Sequence, residues 1–226
     1  MQSVVRIVMN LLLGLLLFVG LPIVGWGISD IAGFFRQPAR LYYVISFVTV
    51  QIVLVILIPG IGQNRGEGHK TVGRQRIAVL FLQLIPLALV IIAPWSDHQE
   101  IATLGASVYT RYLGLVLFLI GFVGMHWAEA VIDRQFSVQV TIQDNHQLIT
   151  HGPYRFIRHP RYLGILLFTS GIALIFRSWI GLLLSGVLLI VLFWRIHDEE
   201  SLMQQEFGIA WENYTSKSWR MIPFVY

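Results

Sequence analysis

The sequence predicts an all-α, polytopic membrane protein with about six transmembrane helices. Three observations predict it. Of 226 residues, 56% are hydrophobic and only 12% charged, whereas a soluble domain carries about 25% charged residues. The apolar residues fall into separate runs of about 20, the length that crosses a hydrocarbon core about 30 Å thick. The Lys and Arg residues gather on alternate sides of those runs, as the positive-inside bias requires. Zero cysteines exclude a disulfide framework, a thiolate nucleophile and a cysteine-ligated metal. The net charge of +4 reads as a topology signal facing anionic lipid, so no nucleic-acid partner is expected.

The first run, residues 4–25, contains only Arg6 and Asn10 as strongly polar residues. It is too long, too weakly flanked by basic residues and too poor in cleavage signals for a signal peptide. The second run, 40–58, stops at Pro59-Gly60, and the third, 77–95, ends at Pro94-Trp95. Between them, residues 61–76 are Gly-rich and basic, an exposed loop. The fourth run is 111–128. Residues 161–196 are too long for one crossing, since a single helix would reach about 54 Å, and Arg177 would then lie in mid-membrane at a cost of about 2.5–3.5 kcal/mol. A hairpin of helices 161–176 and 179–196 places Arg177 and Trp179 at an interface instead.

With the N-terminus inside, the inner segments carry Arg6, Arg65, Lys70, Arg74, Arg76, Arg134, Arg155, Arg158, Arg161, Arg195, Lys217 and Arg220. The outer ones carry only Arg36, Arg40, Arg111 and Arg177. Both termini and the polar segments 129–160 and 197–226 are therefore expected in the cytoplasm. The chain divides into four N-terminal helices, 1–128, and a core, 129–226, that holds the chemistry.

Within that core, His151–Gly164 reads HGPYRFIRHPRYLG. Gly152-Pro153 forces a turn, and Pro160 suits the first turn of a helix while holding His159 extended. The free N–H groups of that helix start favour an anion such as a cofactor carboxylate; a plain interfacial loop with Tyr and Arg anchors fits the same composition. At the end of the last run stands Arg195-Ile-His-Asp-Glu-Glu200. Arg195 and Glu199 share a helix face, and Asp198, Glu199 and Glu200 crowd acid near a membrane surface, which suits ribose hydroxyls, an ammonium or a sulfonium; a solvated helix end with an intrahelical ion pair fits the same residues. Asp198 reads as a solvated helix-end residue. Phe207-Gly208, Trp211, Tyr214 and Ile222-Pro223-Phe224 form an amphipathic tail that packs beneath the loop. His126 and Glu129 share a face at the end of the fourth run and can snorkel to water. The histidines show no HxxxH or HExxH spacing, so no metal site is expected.

The order of these motifs identifies a resemblance. Phe136-Ser137, His146-x-Leu-Ile-Thr-x-Gly-Pro-Tyr154, Arg158-His159-Pro160-x-Tyr162-x-Gly164, a helical hairpin, Arg195, Glu199-Glu200, Phe207-Gly208, Tyr214 and Ile222-Pro223 resemble the isoprenylcysteine carboxyl methyltransferase family and the wider group with phospholipid methyltransferases. The resemblance covers residues 131–226. It implies an integral-membrane methyltransferase using S-adenosyl-L-methionine and releasing S-adenosylhomocysteine. His151, Gly152, Pro153 and Tyr154 would line the cofactor; His159, Pro160, Tyr162 and Gly164 would hold its amino-acid end; Glu199 and Glu200 would contact it; Arg195 and Glu199 would serve catalysis. Arg155 and Arg158 are weaker correspondences.

The implied partners are the lipid bilayer and a lipophilic or small methyl acceptor: an isoprenylcysteine-like carboxylate, a phospholipid amine or a thiol. Oligomeric state leaves no trace in the sequence. The compact length points to a bacterial inner membrane, or the endoplasmic reticulum in a eukaryotic host. Two other readings compete. An NADPH-dependent sterol-type reductase shares a His-Pro-x-Tyr pattern, but the acids beside Arg195 oppose a 2′-phosphate. A non-catalytic membrane scaffold on the same fold would not need the whole motif set.

Overall fold

In lipid each backbone N–H and C=O must be satisfied within its own segment, so long apolar runs become helices. The computed structural model describes residues 2–57, 70–71, 75–105, 107–132, 141–142 and 148–225. Its helices are α1 (Gln2–Leu15), α2 (Leu21–Trp26), α3 (Ile31–Arg36), α4 (Pro38–Leu57), α5 (Gln75–His98), α6 (Val108–Ile132), α7 (Pro160–Ile175), α8 (Trp179–Phe207) and α9 (Ile209–Thr215). A π-helical turn, Leu16–Gly20, joins α1 to α2, so that Ile7–Trp26 forms one apolar span. Two-residue strands β1 (Lys70–Thr71) and β2 (Thr141–Ile142) pair antiparallel.

Among the described residues, five helical spans are long and apolar enough to cross a membrane, and α7 is a shorter apolar helix between two of them. This matches the six crossings expected, hairpin included. The turn falls where the sequence placed it: Arg177 adopts φ +47, and Ser178 caps α8 by accepting from Gly181 N at 3.0 Å. The last helix runs eleven residues past the expected boundary at 196. At 29 residues it is about 43 Å long, so its polar end projects beyond a core of about 30 Å.

The tightest contact is between α6 and α7. Gly114 and Gly121 on α6 face Gly171 and Gly164 on α7, and a Cβ on any of the four would meet backbone or Met125 at 2.4–2.8 Å. Around this seam a core of rings forms from Phe34, Tyr43, Phe47, Phe118, Phe122, Phe168 and Phe176. A second core joins Ala78, Tyr162, Leu188, Leu192, Ile196 and Met221, linking α5, α7, α8 and the C-terminal segment.

One end of the bundle is tied by a charge cluster. The buried Asp97 carboxylate receives Arg40 Nη1 at 2.9 Å, Arg111 Nη1 and Nη2 at 2.8 and 2.9 Å, and Arg177 Nε and Nη2 at 2.9 and 2.8 Å. Arg40 also donates to Phe34 O and Gly33 O and stacks over Trp26 at 3.9 Å. Arg111 donates to Ile175 O. Three arginines that the sequence placed singly at interfaces thus converge on one carboxylate. The opposite end gathers the start of α5, the end of α6, the start of α7 and the C-terminal part of α8.

Candidate active site

The segment 152–155 is a single 3-10 turn before α7. Gly152 has φ +61, and a Cβ there would press on Val131 at 3.0 Å, so the turn requires glycine. Pro160 begins α7 with His159 as its N-cap residue at φ −122, as the Pro placement predicts. The C-terminal segment pairs with this loop through its backbone: Trp219 N donates to Phe156 O, Arg158 N to Trp219 O, and His159 N to Arg220 O, at 2.9, 2.8 and 3.0 Å.

Glu200 joins the two strips. Arg158 Nε donates to its Oε1 at 2.9 Å, His159 Nε2 lies 3.3 Å from the same oxygen, and Arg220 Nη2 is 2.7 Å from Oε2. Arg158 Nη1 also reaches Thr215 O and Ser218 O. Glu199 turns the other way. It accepts from the Tyr162 hydroxyl at 2.7 Å, and that hydroxyl accepts from Arg195 Nε at 2.6 Å. The His159 and Tyr162 rings stack at 5.5 Å. The adjacent acids therefore do different things: Glu200 closes a clamp, and Glu199 ends a relay that starts at Arg195.

Asp198 corrects an expectation. It is only 4% exposed and takes a hydrogen bond from Gln75 Nε2 on α5. Helix α8 packs on both α5 and α7 at this level, so the face carrying Asp198 is covered rather than solvated. On the α6 side, Glu129 receives Arg161 Nε at 2.8 Å and lies 2.9 Å from His126 Nδ1. His126 and Glu129 thus join a three-residue group around the buried Glu129, with His126 and Arg161 half-buried, instead of snorkelling separately.

The tail packs in part as expected: Trp211 and Tyr214 turn inward, whereas Phe224 is 85% exposed. Tyr214 donates to Tyr154 O at 2.7 Å, and Trp211 is buried. Burial pushes the Tyr214 phenol up to about 12 and the Tyr154 phenol well above its ordinary value. Both remain protonated donors at neutral pH.

Of the residues singled out in the sequence, His159, Tyr162, Arg195, Glu199 and Glu200 form one connected group. Pro153 and Tyr154 are buried beside it, whereas His151 and Gly152 are exposed at the rim. Pro160 starts the helix beneath. Gly164 stands apart, its Cα turned to Met125 and Gly121 in the α6–α7 seam. Phe136, Ser137 and His146 lie outside the described residues. Sequence reasoning missed Gln75, because a lone amide at the edge of an apolar run carries no spacing signal. It also underrated Arg158, whose burial against Glu200 no pattern reveals.

Comparison with known proteins adds to this geometry. The family described as phospholipid methyltransferase matches residues 109–210. A protein of Oryza sativa subsp. indica named "Probable protein-S-isoprenylcysteine O-methyltransferase" is 33% identical over 52% of this chain and 63% of its own length. Protein-S-isoprenylcysteine O-methyltransferase B of Arabidopsis thaliana is 25% identical over 84% of this chain and 95% of its own. The chain thus spans less than two thirds of the rice relative that it matches at higher identity. The solved structure of a eukaryotic intramembrane Ras methyltransferase, isoprenylcysteine carboxyl methyltransferase, superposes with a TM-score of 0.51 at 20% identity, covering 91% of this chain and 73% of that one. In motif order, in sequence and in backbone fold, the chain's likeness is to the isoprenylcysteine carboxyl methyltransferase and phospholipid methyltransferase family of membrane proteins.

Proposed function

We propose that this chain is an integral-membrane methyltransferase that takes its methyl group from S-adenosylmethionine and delivers it to a lipophilic or small acceptor: an isoprenylcysteine-like carboxylate, a phospholipid amine or a thiol. The observation that carries the reading is the Arg195–Tyr162–Glu199 relay, set at the end of α8 beside the loop that precedes α7. The residues fit such a cofactor: Glu199 offers a carboxylate to hydroxyls or a sulfonium, and the start of α7 offers N–H groups to a carboxylate. His151, Gly152, Pro153 and Tyr154 form the rim and wall; His159, Pro160, Tyr162 and Gly164 belong to the helix start; Glu200 holds loop and tail together around it.

When bound, S-adenosylmethionine supplies an electrophilic methyl carbon. The protein's share is alignment in a dry site, worth about 7–11 kcal/mol. The Tyr162 hydroxyl fixes the Glu199 carboxylate and the Arg195 guanidinium in one orientation. The Glu200 clamp holds the C-terminal segment over the loop and excludes water. A carboxylate or thiolate acceptor arrives ready to attack, whereas an amine must first lose a proton, for which Glu199 or His159 is in place.

Titration calorimetry of the detergent-purified protein with S-adenosylhomocysteine, with NADPH in parallel, tests this. Micromolar binding of the first alone supports the transferase, binding of NADPH alone replaces it with the reductase, and binding of neither removes both. The site end belongs in the cytoplasm on this reading, where the cofactor is. An engineered cysteine at Lys217 should then be labelled from the cytoplasmic side and one at Glu100 from the other.

A further inference from the structure

The cluster around Asp97 lies at the end of the bundle opposite the candidate active site, and its charges do not balance. Asp97 stands in the last turn of α5, Arg40 and Arg111 in the first turns of α4 and α6, and Arg177 in the turn between α7 and α8. All four side chains are withdrawn from water: Asp97 is 0% exposed, and Arg40, Arg111 and Arg177 are 7%, 8% and 16% exposed. Every charged residue at this end is among the described ones; besides the cluster they are Asp30, Arg36, His98 and Glu100. Asp30 accepts from Gly33 N and lies 3.4 Å from His98 Nε2, and Glu100 is exposed. Among the described residues neither acid pairs with an arginine of the cluster. Three guanidinium groups therefore share one carboxylate, which leaves two positive charges without a counter-charge.

The hydrogen bonds are uneven in the same sense. Asp97 takes five N–H bonds, whereas an ionised carboxylate offers about four lone pairs, so it can accept no more. Arg177 Nη1 and Arg111 Nε have no acceptor among the described residues and are not sealed from solvent. The backbone that places them is itself costly. Glu100, Ala102 and Arg177 have φ +55, +50 and +47, and their two strips are tied together, Leu104 N donating to Arg177 O at 2.6 Å and Trp179 N to Ala102 O at 2.9 Å. Left-handed backbone at ordinary residues persists where its surroundings over-determine it. Here it sets the Arg177 guanidinium beside Arg111 on one carboxylate.

A charge kept from water costs free energy unless it is paired, and the guanidinium fork matches the oxygens of phosphate. We propose that Arg111 and Arg177, backed by Arg40, bind a phosphate group at this end of the bundle. Arg177 Nη1 and Arg111 Nε supply donors, and the phosphate charge offsets the excess that Asp97 leaves. The apolar helices begin and end at the cluster, which puts it at the level of a bilayer's headgroups. The phosphate has two possible sources, the phosphodiester of a phospholipid or free phosphate. The site is independent of the transferase reading and lies away from its residues.

The test follows the melting temperature of the whole protein in a neutral detergent. The probes are inorganic phosphate, chloride at the same ionic strength, dihexanoyl phosphatidylglycerol, and a short fatty acid that is anionic but carries no phosphate. A rise of about 5 °C at a hundredfold excess over Kd with inorganic phosphate supports the proposal and shows that free phosphate suffices. The same rise with phosphatidylglycerol alone supports it and assigns the phosphate to lipid. Arg177→Gln, measured against its own phosphate-free melt, should raise the Kd by at least about tenfold. Arg177→Lys keeps a charge beside Asp97 but loses the fork; it should weaken binding in the same direction and serves if the neutral variant does not fold. Arg36→Gln, at an exposed position of the same end, should leave the Kd unchanged. No rise with either phosphate probe, an equal rise with chloride or the fatty acid, or Arg177 variants that bind as tightly as the unaltered protein overturns the proposal.

Discussion

Gly121 on α6 and Gly164 on α7 press against each other's main chain: a Cβ on Gly121 would sit 2.5 Å from Gly164 O, and one on Gly164 would sit 2.9 Å from Gly121 O. Two turns away the contact repeats, with Gly114 against Gly171 O at 2.7 Å and Gly171 against Gly114 O at 2.7 Å. Small residues let transmembrane helices approach closely and gain van der Waals contact. Alanine at Gly121 or Gly171 should lower stability by about 1–3 kcal/mol through overpacking. Gly124, with nothing within 4 Å, should accept alanine with stability held or raised. Thermal unfolding in detergent separates the two classes.

Asp97 carries the ion pairs of three arginines. Asp97→Asn should cost about 3–5 kcal/mol, because it leaves buried guanidinium groups without a counter-charge. Glu100→Gln, at an exposed position nearby, should change little. The same unfolding assay, repeated in high salt, checks this; salt should barely alter the Asp97 effect, since buried pairs are weakly screened.

The neighbouring acids of α8 should respond differently to the same change. Glu200→Gln weakens a clamp made with Arg158, His159 and Arg220. It should raise hydrogen exchange across 156–159 and 216–221 as well as lowering cofactor affinity. Glu199→Gln retains an acceptor for the Tyr162 hydroxyl, so exchange should stay near the unaltered level while cofactor affinity falls. Exchange mass spectrometry beside calorimetry reads both, and identical exchange maps would dismiss the division of roles.

Tyr214 gives a pH signature. Its folded-state value, raised from 10.0 to about 12 by burial, means that the fold holds the phenol's proton more tightly than the unfolded chain does. That contribution is fully present below pH 10 and is lost as pH rises toward about 12. Melting temperature should be flat from about pH 8 to 9.5 and decline above 10. Tyr214→Phe should flatten part of that decline.

The membrane architecture was legible because its causes are local. Run length, the Pro-Gly stops and the misplaced charge of Arg177 together set six crossings and the hairpin. The loop before α7 was equally readable, since Gly152, Pro153 and Pro160 restrict their own backbone. Pairings between distant residues were not. Nothing in the sequence couples Asp97 to Arg40, 57 residues earlier, and to Arg177, 80 residues later. Nor does anything couple Gln75 to Asp198, 123 residues away. Asp198 was misjudged for the same reason: a helix end looks solvated until the helix that covers it is known. Gly164 belonged to a recognisable motif, yet its spacing from Gly171 also encodes the seam with α6.

The Asp97 cluster also has a direction along the chain. A chain inserted from its N-terminus brings Arg40 into the bilayer boundary before any carboxylate of the cluster exists. Asp97 arrives with α5, and Arg111 follows 14 residues later. Arg177, 80 residues after Asp97, comes only with the final hairpin. In chain order that hairpin is the last element to bring a guanidinium to Asp97, so its turn closes a cluster whose other members all precede it.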